Sequence, residues 1–155
     1  MEEELIVSIK AGTKVIQIIS YETLRIHAAL VKAADEIGLE LYIWDRVLGI
    51  RKWDSEKRRF NNPEGEENPA TILDYFNDEF STKSILLLED FYPDFTADKP
   101  KNIRRLRNIA LSNNTGKTLV LSQPHYKLPK ELEKEVQVLA LPYPNFSDLK
   151  SIYGK

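Results

Sequence analysis

The chain contains no cysteine in 155 residues and only two histidines, His27 and His125. The first absence excludes disulfides, thiol nucleophiles and thiolate metal sites, and two isolated histidines cannot build an imidazole metal site by themselves. No metal or cofactor is therefore expected. No apolar run approaches membrane-spanning length, and the N-terminus is acidic (Glu2, Glu3, Glu4) rather than basic. Neither a signal peptide nor an anchor is expected, and the cytoplasm is the expected compartment. The formal net charge of −2 predicts no bulk attraction to nucleic acid or to an anionic membrane. A Gly-rich phosphate-cradling loop is missing as well.

What is present is ordinary in amount and informative in order. Hydrophobic residues at 42% and charged residues at 30% suit a soluble globular protein. At this length a single core buries about two-thirds of the unfolded surface, so one domain spanning residues 1–155 is expected. Ser84-Ile85-Leu86-Leu87-Leu88-Glu89-Asp90 is a continuous apolar run closed by two acids. An ATPase uses such a strand to hold Mg-nucleotide, provided that the phosphates are cradled elsewhere by glycines and a lysine. The cradle would follow the first buried strand, Val15 to Ile19, and open the amphipathic helix Glu22 to Ile37 that stops at Gly38. Ser20-Tyr21-Glu22-Thr23 stands there instead. It has no glycine, and Glu22 at the positive end of the helix repels phosphate. Ser20 reads as an ordinary N-cap.

Asn114-Thr115-Gly116-Lys117-Thr118 imitates the end of a phosphate loop, but the first glycine of that pattern would fall at Leu111. The context is also reversed, since the segment leaves a helix and enters a strand. Gly116 reads as a turn residue.

Along the chain, Glu2 to Lys10 reads as a short helix lying across the sheet edge. After the first strand and helix, Leu39 to Trp44 is a second strand. Asp45 to Asn68 breaks the rhythm and reads either as a hairpin turning at Asp54 to Lys57, with Trp53 and Phe60 on the same side, or as a mobile loop. A helix from Pro69 to Phe80 with Asn68 as N-cap follows, then the Glu89-Asp90 strand and a helix from Lys101 to Asn113 with Ile103, Leu106, Ile109 and Ala110 buried. Thr118 to Ser122 is the fourth strand. Pro129 enters a short helix, Val136 to Leu141 is the fifth strand, and Asn145 caps a terminal helix carrying Phe146, Leu149, Ile152 and Tyr153. Strands alternating with helices give a parallel sheet covered on both faces.

Several of these segments together resemble the core of an AAA+ ATPase: Leu86-Leu87-Leu88-Glu89-Asp90, Ser122-Gln123-Pro124, Leu128-Pro129-Lys130-Glu131-Leu132 leading to Val136, and Leu141-Pro142-Tyr143-Pro144. With Tyr21-Glu22, Trp44, Gly49, Pro69-Ala70, Asp90-Phe91-Tyr92-Pro93, Arg104-Arg105-Leu106-Arg107 and Thr115-Gly116-Lys117-Thr118, the chain is similar to the N-terminal degenerate domain of the plastid- and cyanobacterium-type AAA ATPases, a family known by a conserved chloroplast open reading frame. The resemblance implies a three-layer, P-loop NTPase-like α/β domain with a five-stranded parallel sheet in the order 5-1-4-3-2 and no Walker A loop. In that family the nucleotide-binding module follows this domain, and its phosphate loop, sensors and arginine finger have no counterparts here. The resemblance thus implies the shape of an ATPase without the activity, a domain for assembly or regulation that is part or partner of an AAA+ ATPase.

Three sets of residues compete for a role. Glu89 and Asp90 lie where open α/β sheets bind ligands; they are weak candidates for a residual nucleotide contact and, with His125 as a proton-transfer group, for a small hydrolase. The other reading is acids ending a strand and bonded to loop amides, with His27 structural. Arg104, Arg105 and Arg107, with Trp53 and Phe60, are candidates for partner binding, the arginines reading otherwise as a solvated helix face. Arg51, Lys52, Lys57, Arg58 and Arg59 interleave with Trp53 and Phe60, a pattern that also serves single-stranded nucleic acid, blunted here by Glu56, Glu64, Glu66 and Glu67. The leading expectation is a non-catalytic domain with a protein partner or self-association, no membrane role and no nucleic-acid role.

Overall fold

The structure, a computed structural model, describes residues 2–63, 65, 68–112 and 116–140. Helix α1 (Glu2–Lys10) precedes strand β1 (Val15–Ile19), helix α2 (Thr23–Ile37) and strand β2 (Glu40–Asp45). Strands β3 (Gly49–Asp54) and β4 (Arg59–Phe60) come next, then α3 (Pro69–Glu79), β5 (Ser84–Glu89), α4 (Pro100–Ala110), β6 (Lys117–Gln123) and β7 (Gln137–Ala140). Short 3-10 turns at Tyr92–Asp94 and Lys130–Leu132 interrupt the connections after β5 and β6. The expected terminal helix from Asn145, and Leu141 to Pro144 before it, lie outside the described residues, as do Glu64, Glu66, Glu67, Asn114 and Thr115.

The sheet runs β4-β3-β2-β5-β6-β1-β7. Among the described residues it has seven strands, where a sheet of five was expected; five of the seven run parallel. The two additional strands come from the polar insertion: β3 pairs antiparallel with β2, Trp44 opposite Ile50, and β4 pairs with β3, Trp53 opposite Phe60. The parallel strands β2, β5, β6, β1 and β7, numbered among themselves along the chain, lie in the order 5-1-4-3-2 read from the β7 edge. Gly49 starts the inserted edge at φ +78, where a β-carbon would meet the Gly65 carbonyl oxygen at 2.1 Å, so only glycine fits.

Strand alternation divides the core into two layers. Ile16, Ile18, Leu41, Ile43, Ile85, Leu87 and Val120 pack with α1 and α2 on one face. Val15, Leu86, Leu88, Leu119 and Leu121 pack with α3 and α4 on the other. Helix α1 therefore lies on the α2 face, where Leu5, Ile6 and Ile9 join that layer; the placement across the sheet edge is corrected. Three amphipathic helices supply most of the cover, and the α3 start is as its sequence suggests: the Asn68 side chain accepts from the Ala70 N–H at 2.9 Å. The α2 start differs. Glu22 is the N-cap without a capping side-chain bond, and Ser20 Oγ accepts instead from the Glu22 N–H at 2.9 Å. A Ser two residues before the N-cap can close a local turn as readily as cap the helix.

Candidate functional site

Adjacent strands β1 and β6 send their next connections to opposite faces, α2 to one and the loop carrying Leu132 to the other. The crevice at their carboxyl ends is where an open α/β sheet binds ligands. Gln17, the one polar residue of β1, and Gln123, the last of β6, are both buried there. The Gln17 side-chain amide donates to the Lys127 carbonyl at 2.8 Å, and that of Gln123 to the carbonyls of His125 at 2.9 Å and Lys127 at 3.2 Å. These bonds draw the loop after β6 onto the crevice. Tyr21, itself exposed, lies with its ring edge-on to the exposed His125, centroids 5.8 Å apart. His125 is thereby a ring contact and a backbone acceptor.

Glu89 and Asp90 sit beside the crevice, the first engaged through its carboxylate and the second through its backbone. Glu89 Oε1 is hydrogen-bonded to Nε2 of His27 at 2.6 Å, with both side chains largely buried. His27 comes from the second turn of α2, which places its imidazole over the end of β5. Asp90 turns the chain at φ +52, a left-handed conformation that Asp tolerates better than most residues. Its N–H donates to the Ser122 carbonyl at 2.9 Å, and its own carbonyl accepts from Arg46 Nη2 at 2.8 Å. Arg46 also donates to Asp94 Oδ2 at 2.6 Å, so one guanidinium fastens the end of β2 to the loop after β5. The Asp90 carboxyl is raised above the ordinary carboxylate value by desolvation and by the Glu89 charge, against the pull of Arg46. Among the described residues no group of three acids or histidines is arranged to hold a metal ion.

The phosphate-loop imitation is at the other end of the sheet. Lys117 Nζ donates to the carbonyls of Phe76 and Asn77 at 3.1 and 3.0 Å and lies 5.6 Å from the Phe76 ring. It caps the carboxyl end of α3, where a cation meets the negative end of the helix dipole. Gly116 has φ +90, and a β-carbon on it would stand 1.7 Å from the Thr82 carbonyl oxygen. Both residues are used for packing.

Of the remaining candidates, Arg105 Nε bonds Asp74 Oδ1 at 3.1 Å and its Nη1 bonds Asn102 Oδ1 at 3.1 Å, tying α4 to α3. Arg104 is exposed, and the half-buried Arg107 keeps its Nε without an acceptor. The basic aromatic insertion is a packed hairpin. Trp53 and Phe60 meet edge-on at 5.0 Å, Arg58 lies over Trp53 at 5.2 Å, and Arg51 and His27 lie on Phe60 at 5.8 and 5.6 Å.

A model of the SpoVK-like AAA ATPase N-terminal domain matches residues 1–141 of this chain. The chain belongs to that family. Among curated proteins, an uncharacterized AAA domain-containing protein, ycf46 of Guillardia theta, is 29% identical over 150 residues, covering 92% of this chain. The chain spans 27% of the length of that relative. The fold of this SpoVK-like N-terminal domain is accordingly the α/β fold of the AAA group, widened by the β3–β4 hairpin. No described helix is long and apolar enough to cross a membrane.

His27, Gln17, Gln123 and Arg46 escape a reading of the sequence. His27 and Glu89 are 62 positions apart, with nothing local to connect them. Gln17 does leave a signal, a lone amide inside Val-Ile-Gln-Ile-Ile, because a buried polar side chain in a strand needs a specific partner.

Proposed function

We propose that this SpoVK-like N-terminal domain is a non-catalytic module that serves assembly or regulation of an AAA+ ATPase, acting in the cytoplasm through protein contacts. The observation that carries the reading is the His27–Glu89 hydrogen bond of 2.6 Å. In an ATPase the acid at this strand end must face metal-bound nucleotide and its water; here it faces an imidazole from the chain's own helix.

The surroundings support the same reading. Glu22 stands at the N-terminus of α2, ion-paired with Arg25 at 3.0 Å, where a phosphate would need open N–H groups and no negative charge. Gln17 and Gln123 hold the loop after β6 across the crevice. A hydrolase built on Glu89, Asp90 and His125 gains little from this geometry, because the Glu89 carboxylate is engaged with His27. The test is phosphate release from Mg-ATP by the purified chain. Release at the buffer rate is expected; sustained release that Asp90→Asn abolishes would restore an enzyme.

A further inference from the structure

Two residues of the central sheet are glutamines whose side-chain oxygens are unmet. Gln17 is fully buried and Gln123 is 2% exposed. In the β1–β6 ladder Gln17 lies opposite Leu121, and Gln123 lies opposite Ile19. Strand alternation sends both side chains to the face of Val15, Leu119 and Leu121, which is the α4 side. The loop after β6 runs along that face, and its bonds to the glutamines fix how each amide is turned. Gln17 Nε2 donates to the Lys127 carbonyl, and Gln123 Nε2 donates to the carbonyls of His125 and Lys127. Turning either amide over would set its oxygen against a carbonyl oxygen, so the nitrogen faces the loop and the oxygen points elsewhere. Both Oε1 atoms are buried, and neither has a hydrogen-bond partner among the described residues.

A buried carbonyl oxygen without a donor bears its full desolvation penalty. Such groups are met by protein or by ordered water. The sheet has few donors to spare here, because β1 lies between β6 and β7, and β6 between β5 and β1, which engages their N–H groups in the ladder. The side chains opposite Gln17 are Leu121 and Val138, and the one opposite Gln123 is Ile19. All three are apolar and can donate nothing. The donor that suits this place is therefore a small molecule. Since both nitrogens share the Lys127 carbonyl, the two amides lie close together, and one molecule with two O–H or N–H groups can serve both oxygens. A metal ion or ammonium would carry a charge into an apolar layer with two neutral oxygens to meet it. Water has two donors and no charge.

We infer that Gln17 Oε1 and Gln123 Oε1 form an internal binding site for a single water molecule, which donates to both and completes a clasp holding the loop after β6 on the sheet. Internal waters of this kind bridge buried polar groups that the chain leaves unsatisfied. The clasp acts on the loop that carries the exposed His125 and Tyr126, and it does not depend on whether the domain hydrolyses ATP.

The test is a high-resolution crystal structure of the purified chain, grown once from sodium and once from ammonium salts. One density peak within ~3 Å of both oxygens, unchanged between the two salts, is expected. No shared peak, a separate peak on each oxygen, or a peak that changes with the cation would overturn the inference. Limited trypsin digestion tests the clasp in solution, because the Lys127 carbonyl that both amides hold belongs to a trypsin-sensitive bond. Gln17→Met and Gln123→Met keep an unbranched side chain of similar length but remove the amide. Each is expected to speed cleavage after Lys127 by at least about tenfold, and the double variant is expected to go little further, since one water and one carbonyl serve both residues. Unchanged cleavage in both single variants, or fully multiplicative effects in the double variant, would contradict a shared clasp. Should a variant fail to fold, the parent crystals decide alone.

Discussion

The two ends of the parallel sheet hold their motif-like residues by different means. At the amino end, Gly116 and Lys117 are fixed by backbone groups, the Thr82 carbonyl that leaves no room for a β-carbon and the Phe76 and Asn77 carbonyls that Lys117 caps. At the carboxyl end, the Glu89 carboxylate is held by His27 from α2 and the Asp90 carbonyl by Arg46 from the turn after β2, beside the backbone bond from the Asp90 N–H to the Ser122 carbonyl. Backbone partners cannot be exchanged without moving an element, so the amino end is a structural joint. Side-chain partners can be removed one at a time, so the carboxyl end can be altered without moving an element.

The contrast breaks most sharply at Gly116. Gly116→Ala forces a left-handed alanine against a carbonyl and is expected to cost roughly 2–4 kcal/mol in urea unfolding. Lys117→Met keeps the packing on Phe76 but removes two charge-assisted bonds to helix carbonyls. A loss of about 1.5 kcal/mol is expected, and an unchanged midpoint would mean that the cap is idle. His27→Ala leaves a partly buried carboxylate without its donor and is expected to cost about 1 kcal/mol, with Glu89→Gln milder because an amide can still bond the imidazole.

The smallest effect has the opposite sign. The Asp90 carboxyl is raised above 3.8, its ordinary value, by desolvation first and by the Glu89 charge second. The folded state then binds the proton more tightly than the unfolded one, so this residue's contribution turns unfavourable as pH climbs from 3.8 through the raised value and stays constant above it. Asp90→Asn keeps a residue that tolerates φ +52 and removes the charge. Its midpoint should exceed that of the parent at neutral pH by no more than about 0.5 kcal/mol, with the gap closing below 3.8. A gap independent of pH would assign the effect to the backbone.

How much of this was legible depended on whether the signal was local. The alternation of strands and helices, the Asn68 cap and the turn at Gly116 follow from residues within a few positions of one another, and each has its counterpart in the fold. The hairpin was legible only as one of two readings, a turn at Asp54 to Lys57 or a mobile loop; the Asp54 side chain, which accepts from the Glu56 and Lys57 N–H groups at 3.0 Å, makes it the turn. Its continuation of the main sheet through β2 was not, because Gly49 and Ile50 join an edge that only the folded sheet creates. The position of α1 was missed for the same reason. The lack of a Gly-rich loop at the β1–α2 junction could be read from Ser20-Tyr21-Glu22-Thr23 itself, whereas His27 and the two glutamines required the third dimension.

The most direct measurement is calorimetric titration of the purified chain with Mg-ATP and Mg-ADP up to millimolar concentration. No saturable heat is the result this account predicts, since His27 and the loop after β6 occupy the strand ends. Stoichiometric saturable binding, weakened by Glu89→Gln or Asp90→Asn, would contradict it and show that a nucleotide displaces those residues from the crevice.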